Sequence, residues 1–454
     1  MSEGSSLFMA REKWQSKLGF MLAAMGSAVG LGNIWRFSYV AGENGGGAFL
    51  LLYLAFVLLI GIPVLLSEFS IGRQAQSDVV GSYQKLAPKK PWFIQGYMGL
   101  ICSFLILGFY SVVAGWSLYY FWNYLNTSFF TAPSGGYEAA FGTFITNPIS
   151  PLFWHGLFMA ITILVVLTGV KDGIERASKI FMPTLAVLLV LLAVYSVTLE
   201  GAGEGLKFLF QPNWSILEDP SVYLAALGQA FFSLSLGMGG MLTYGSYLSK
   251  DESLPSATVG IGLMDTFFAI IAGVVIFPAV FAFNISPESG PNLVFITLPS
   301  VFEQMPFGGV VGLVFFFLLC LAALSSSISI LEVPVAYFMR KFGWGRTFSS
   351  AVLGALMYLL GVAASLGMGR WSDVTLIGDR DIMGSMEFVA SDVFLPLGGL
   401  IIALFVGWHW SKAEAFEATD MASAGPIRHI WRFLVKFVAP VCIAIIFLSS
   451  VGIL

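Results

Sequence analysis

Asp265 stands inside the apolar run from Gly260 to Phe268. A carboxylate in such a run costs several kcal/mol unless a cation or partner meets it, so its natural chemistry is cation binding. Three consecutive hydroxyls, Ser325-Ser326-Ser327, sit in a second apolar run. Two glycine-rich stretches interrupt others: Gly26-Ser27-Ala28-Val29-Gly30-Leu31-Gly32-Asn33, followed by Arg36, and Ser233-Leu234-Ser235-Leu236-Gly237-Met238-Gly239-Gly240. Hydroxyls, freed carbonyls and a carboxylate suit a small hard cation, while N–H groups at the start of a half-helix suit an anion. Taken singly, each feature has a plainer explanation. A membrane serine ordinarily bonds back to the preceding turn, and glycine lets helices pack closely.

Those residues need elements to hold them. Apolar types make up 57% of the 454 residues, with 50 glycines besides, and charged types only 11%, against about 25% in a soluble domain. No water-soluble surface can be built from that inventory, and a nucleic-acid partner is excluded. Stretches long enough to cross a hydrocarbon core of about 30 Å recur at 17–41, 47–72, 93–124, 151–169, 175–199, 221–247, 257–283, 308–339, 348–367, 386–410 and 428–453. The expected fold is an all-α membrane protein of eleven transmembrane helices. With the N-terminus in the cytoplasm, all but four of the 22 Lys and Arg fall on the inner side: Lys207, Arg370 and Arg380 lie outside and Arg36 within the first span. The positive-inside rule supports this count and orientation, which puts the C-terminus outside. Cys102, Cys320 and Cys442 are far apart in apolar runs and read as inert packing residues. The first 16 residues hold no signal-peptide core, so insertion is expected to use the first span itself.

Both glycine-rich stretches fall at mid-span, in the first and the sixth spans, at corresponding places in spans 1–5 and 6–10. Interrupted helices at matching positions of two halves point to an inverted repeat. The chain then divides into a cytoplasmic segment (1–16), a first repeat (17–199), a second repeat (200–411) and an eleventh span (412–454). Unwinding a helix at mid-membrane frees N–H and C=O groups that hydrocarbon cannot satisfy, so a break persists only where something polar replaces the lost partners. A carboxylate and Na⁺ meet both requirements.

The run Arg11-Glu12-Lys13-Trp14, the stretch from Gly26 to Asn33 continuing Ile34-Trp35-Arg36-Phe37, and Glu43-Asn44-Gly45-Gly46-Gly47-Ala48-Phe49 together resemble the neurotransmitter:sodium symporters with the LeuT fold. Gly228-Gln229-Ala230-Phe231-Phe232-Ser233-Leu234-Ser235, Phe295-Ile296-Thr297-Leu298-Pro299 and Leu324-Ser325-Ser326-Ser327 agree in order and spacing, so the likeness covers nearly the whole chain. It implies a 5+5 inverted repeat with spans 1 and 6 broken, plus an eleventh span where family members usually reach twelve. It further implies a bacterial cytoplasmic-membrane protein that imports an amino acid with sodium by alternating access. One sodium position would draw on the carbonyls of Gly26, Val29 and Ala322 and the hydroxyls of Ser325 and Ser326. The other would use the Ala28 carbonyl, the Asn33 side chain, Ser233 and Asp265, with the substrate carboxylate as a further ligand. Relatives often have Asn in place of Asp265 and take negative charge from chloride or from a Glu one turn on, where this chain has Ala269. No chloride requirement is therefore expected.

Monoamine-type relatives carry Asp where this chain has Gly30, so the resemblance implies an α-amino acid rather than a bare amine. Its carboxylate would meet the Leu31 and Gly32 N–H groups and the Tyr110 hydroxyl; its ammonium would meet carbonyls of Ala28, Phe232 and Ser235, with Ser326 alongside. Ile106, Phe232, Met238 and Ile330 would line an uncharged side-chain pocket. Met238 replaces a Phe of relatives, and its adaptable thioether should admit aliphatic and aromatic side chains alike. Arg36 and Glu387 resemble an outer charge pair, with Phe232 as lid. Arg11 and Trp14 resemble an inner latch, although Arg340 stands where the acidic partner is usually found. Gly173 and Pro183 bracket an end of the fifth span expected to unwind and admit water; a proline that merely kinks the helix is the alternative.

An intramembrane enzyme would need a catalytic pair, yet His155, His409 and His429 are scattered near span ends, without HExxH or paired aspartates. The competing possibility is a proton-coupled transporter or amino-acid sensor on the same scaffold, with Asp265 serving a proton.

Overall fold

The computed structural model describes residues 12–249, 253–284 and 290–453, so Arg11 of the expected latch lies outside the described residues. Among these, nine helices are long and apolar enough to cross a membrane: Gly47–Ala75, Phe93–Leu125, Ser150–Leu167, Val170–Val197, Leu254–Ala282, Gly308–Phe342, Arg346–Gly367, Ile382–His409 and Ile427–Ser450. In chain order they are the second to fifth and the seventh to eleventh spans. The first span is a bent pair, Lys17–Ala28 and Gly32–Glu43, whose halves meet at 50°. The sixth, Pro220–Ser233 and Gly240–Gly245, is interrupted over 234–239. Eleven spans result, each close to the stretch its hydropathy marks out.

Local chemistry starts these helices. Ser16 caps the first by accepting from Gly19 N at 3.0 Å, and Asp219 caps the sixth by accepting from Ser221 N at 2.8 Å, with Pro220 at the first helical position. The third and eighth spans, of 33 and 35 residues, exceed the roughly 20 needed to cross the hydrocarbon and form the scaffold for the centre of the molecule. Close packing is bought by glycine where helices cross, as at Gly361, where a Cβ would come within 2.4 Å of the His155 ring. His155, read from sequence as lying near a span end, is fully buried with Nε2 2.8 Å from Ser111 Oγ. Short helices at Val79–Leu86, Gly136–Thr146, Ala202–Phe210, Thr297–Gln304 and Lys412–Ala418 cover the ends of the bundle. They are too short to stand out against eleven spans in hydropathy alone.

Backbone geometry makes the two breaks. Val29 leaves the first helix in an extended conformation. In the sixth, Ser235, Gly237 and Gly239 have φ of +52°, +88° and +85°, the left-handed region that favours glycine. Gly237 N donates to Glu68 Oε1 of the second span at 2.5 Å, and Gly237 O accepts from Gln95 Nε2 of the third at 3.1 Å. The tenth span presses on the same turn: a Cβ on Gly237 would lie 2.3 Å from Leu395 O, and one on Gly398 2.3 Å from Gly237 O. Three neighbouring spans thus hold the interruption open.

Gly237→Ala combines a strained φ with a backbone clash and should cost roughly 2–5 kcal/mol. Thermal unfolding in detergent should show a lower midpoint, whereas Gly203→Ala, at a helical position with nothing within 4 Å, should leave it unmoved; equal midpoints would contradict this account of the break.

Candidate functional site

The two interruptions face each other. Ser235 Oγ, on the sixth span, donates to Ser27 O of the first at 3.1 Å. Ser326 Oγ of the eighth lies 3.2 Å from the same carbonyl and 3.3 Å from Gly26 O. Ser325 Oγ lies 2.9 Å from Ala322 O and 3.4 Å from Val29 O. All five residues expected at one cation position therefore converge. Three hydroxyl protons, from Ser235, Ser325 and Ser326, face the four carbonyls of Gly26, Ser27, Val29 and Ala322, a surplus of lone pairs that a small cation relieves.

Asp265 is fully buried on the seventh span and its carboxylate is surrounded by donors. Asn33 Nδ2 lies 2.7 Å from Oδ1, Ser233 Oγ 2.7 Å from Oδ2, and Tyr53 Oη 3.5 Å from Oδ2. Asn33 Nδ2 also reaches Ser233 Oγ at 3.0 Å, while its Oδ1 accepts from Gly30 N at 3.2 Å. Three of the four residues expected at the other cation position share one hydrogen-bonded cluster. The fourth, Ala28, lines the adjoining cavity. Tyr53, from the second span, is an addition that nothing in its sequence neighbourhood marked.

That cavity is lined by Ala28, Gly32, Ile106, Tyr110, Phe232, Ser235, Met238, Ser326 and Ile330, together with Ser27, Gly30 and Leu395. Leu31, the remaining expected residue, donates its N–H to Tyr110 Oη at 3.3 Å. A Cβ on Gly30 would fall 2.3 Å from Ser326 Oγ, and one on Gly32 2.9 Å from the Phe232 ring, so only glycine keeps this backbone open to the cavity. No ionisable acid or base lines it besides the Tyr110 phenol.

Phe232 and Leu395 also wall a second chamber of about 150 Å³, which Arg36 and Asp392 help to line. Arg36 donates to Gln229 Oε1 at 2.7 Å and lies 4.8 Å above the Phe232 ring, while Gln229 Nε2 donates to Gly32 O at 2.9 Å. No ion pair joins Arg36 to Glu387, which is exposed. The expected charge pair is not formed here, because Gln229 takes the guanidinium and ties the two broken spans together.

The opposite, basic face is closed by polar contacts. Trp14 Nε1 donates to Tyr244 O at 2.9 Å and its ring packs edge-on against Tyr244. Glu12 accepts from Val170 N at 2.5 Å and from Arg346 Nε at 2.7 Å. Arg346 then grips fully buried Glu332 with two bonds of 2.7 and 2.9 Å, and Glu332 accepts from Tyr247 Oη at 2.5 Å. Arg340 does occupy the end of the eighth span and pairs with Asp78. The acid on the eighth span is therefore Glu332, two turns earlier, with Arg346 of the ninth span as the bridging cation. Sequence reading missed both; Glu332 in the apolar run Ser329 to Val335 was the available signal. On the fifth span Gly173 packs against the fourth, where a Cβ would lie 2.2 Å from Val165 O, and the chain is helical from there through Pro183.

A multi-pass helical protein with two facing broken spans, oxygen clusters at the breaks and a cavity between them belongs to the inverted-repeat secondary transporters. More narrowly, the chain belongs to the sodium:neurotransmitter symporter family, whose model matches residues 11–132 and 151–453. It is a sodium-dependent transporter and not an enzyme. It is 43% identical over 444 residues to the uncharacterized sodium-dependent transporter YhdH of Bacillus subtilis, covering 97% of this chain and 98% of that one. The sodium- and chloride-dependent taurine transporter of Rattus norvegicus is 30% identical over 409 residues, covering 78% and 65% respectively. The crystal structure of MhsT in complex with L-phenylalanine superposes with a TM-score of 0.91 at 58% identity, covering 97% of this chain and 100% of that one.

Removing Arg346 leaves Glu332 buried without its cation, a loss of about 3 kcal/mol or more from the closed basic face. In Arg346→Gln, amides of residues 17–28 should exchange hydrogen faster than in the parent, and adding Glu332→Gln should restore much of the protection. Unchanged exchange in the single variant would remove these residues from the gate.

Proposed function

We propose that this protein imports neutral hydrophobic L-amino acids, aliphatic and aromatic, in symport with two Na⁺ ions and without chloride, its N-terminus cytoplasmic and its C-terminus outside. One observation carries the reading: an uncharged, largely apolar cavity adjoins both oxygen clusters, sharing Ser326 with one, while Gly30 in its wall donates its N–H to Asn33 Oδ1 of the other. The substrate carboxylate would bind the Leu31 and Gly32 N–H groups with the Tyr110 hydroxyl, and the ammonium the carbonyls of Ala28, Phe232 and Ser235. At the first sodium position the ion would replace the donors now facing Asp265, the Asn33 amide turning to present its oxygen. A carboxylate held permanently in that position makes a chloride ion redundant as countercharge. Because the ion and the substrate carboxylate would share ligands, each would raise the affinity of the other. Ile106, Met238 and Ile330 would receive the side chain, and the L-phenylalanine bound by MhsT agrees with an apolar preference.

Entry would pass the chamber above Phe232, with Arg36 and Glu387 approaching as it closes. Exit would begin on the basic face, where release of Glu12 from Val170 N frees the start of the fifth span and the helix between Gly173 and Pro183 unwinds toward Ser325 and Ser326. A proton-coupled transporter would use Asp265 as its proton carrier, and the ion requirement separates the two.

In proteoliposomes, a Na⁺ gradient should drive uptake of labelled leucine, replacement of Na⁺ by choline should abolish it, and replacement of chloride by gluconate should leave it unchanged. Excess tryptophan should compete, while aspartate and lysine should not. Uptake that persists in choline, or that falls in gluconate, would overturn the sodium or the chloride assignment respectively. Pro183→Ala should slow turnover several-fold while leaving equilibrium Na⁺ binding near the parental value; unchanged turnover would count against unwinding of the fifth span.

A further inference from the structure

On the basic face, the start of the third span and the end of the tenth enclose a cleft of about 570 Å³ that is separate from the transport cavities. Its apolar wall is built by Ile94, Ile401 and Trp408, and Ile94 and Trp408 are 50% and 56% exposed. Its rim is basic. Lys90 Nζ lies 3.5 Å from His409 Nδ1, and Lys436 Nζ lies 4.4 Å from the centre of the Trp408 ring, whose Nε1 donates to Lys436 O at 2.8 Å. Neither lysine forms an ion pair among the described residues. The nearby carboxylate of Glu414 is engaged with the Ser411 backbone at 2.8 Å.

The cleft lies where Phe93 begins one span and His409 ends another, and span ends of this kind reach the headgroup layer. Tryptophan is favoured at that depth, and basic pockets between helices there recognise anionic headgroups. An apolar wall open to the bilayer is covered by lipid chains, while two ammonium groups without carboxylate partners select a phosphodiester above it.

We propose that this cleft binds one anionic glycerophospholipid, its phosphodiester held by Lys90 and Lys436 beside His409 and one acyl chain lying along Ile94 and Ile401. The proposal rests on the chemistry of the cleft and not on the transport reading, so either can fail without the other.

Native mass spectrometry of the detergent-solubilised protein, titrated with phosphatidylglycerol or phosphatidylcholine of equal chain length, tests it. The parent should retain phosphatidylglycerol preferentially, and Lys90→Gln and Lys436→Gln should each reduce that preference roughly fivefold. Ile401→Trp should displace the lipid while leaving the thermal midpoint near parental, which separates a filled cleft from a misfolded protein. Equal retention of the two lipids by the parent would overturn the proposal. So would an undiminished preference in the double lysine variant, or displacement of phosphatidylglycerol by millimolar inorganic phosphate, which would show a phosphate site without a chain.

Discussion

Breaking a helix inside hydrocarbon strands backbone N–H and C=O groups at a cost that no lipid can offset, and this molecule is arranged around meeting that cost twice. At the sixth span, Glu68 and Gln95 take one N–H and one C=O of Gly237, and the tenth span closes over the turn with glycine at Gly398. At the first, the carbonyls of Gly26, Ser27 and Val29 face hydroxyls from the sixth and eighth spans. The sixth-span break is satisfied mainly by fixed side chains. With the Ala322 carbonyl counted, the first-span break has four carbonyl acceptors for three hydroxyl protons, and that imbalance is what a cation would correct.

Each break thereby links elements on both sides of the bundle. Gln229 joins Arg36 to the Gly32 carbonyl, so the guanidinium above Phe232 is tied to the backbone that lines the cavity. On the basic face, Glu12, Arg346, Glu332 and Tyr247 form one chain of charge-assisted bonds from the N-terminal segment through the ninth and eighth spans to the sixth. Glu12 also holds Val170 N, at the start of the fifth span. Opening one side therefore breaks several polar contacts together, which favours discrete states over a graded leak.

Much of this was legible. Hydropathy located eleven spans because a membrane span needs an unbroken apolar length, and the glycine-rich stretches exposed the two breaks. Asp265, Asn33 and Ser233, picked out in the sequence, share one hydrogen-bonded cluster, and Ser325 and Ser326 face the first-span carbonyls. The exceptions share a cause. Glu68, Gln95 and Tyr53 act on partners 142 or more residues away, Glu332 reaches Tyr247 across 85 and Arg346 reaches Glu12 across 334, each where a helix from another part of the chain crosses. Arg36 meets Gln229 in place of Glu387 for the same reason: the choice depends on how two helices approach.

The amino-acid order by itself determined what local rules can set: apolar lengths, the side on which cations collect, and the points where glycine and serine make helix costly. Only the tertiary structure decided which polar groups meet. A buried hydrogen bond or ion pair depends on ångström-scale distance between helices remote in sequence, and those distances follow from packing the whole bundle, to which every span contributes.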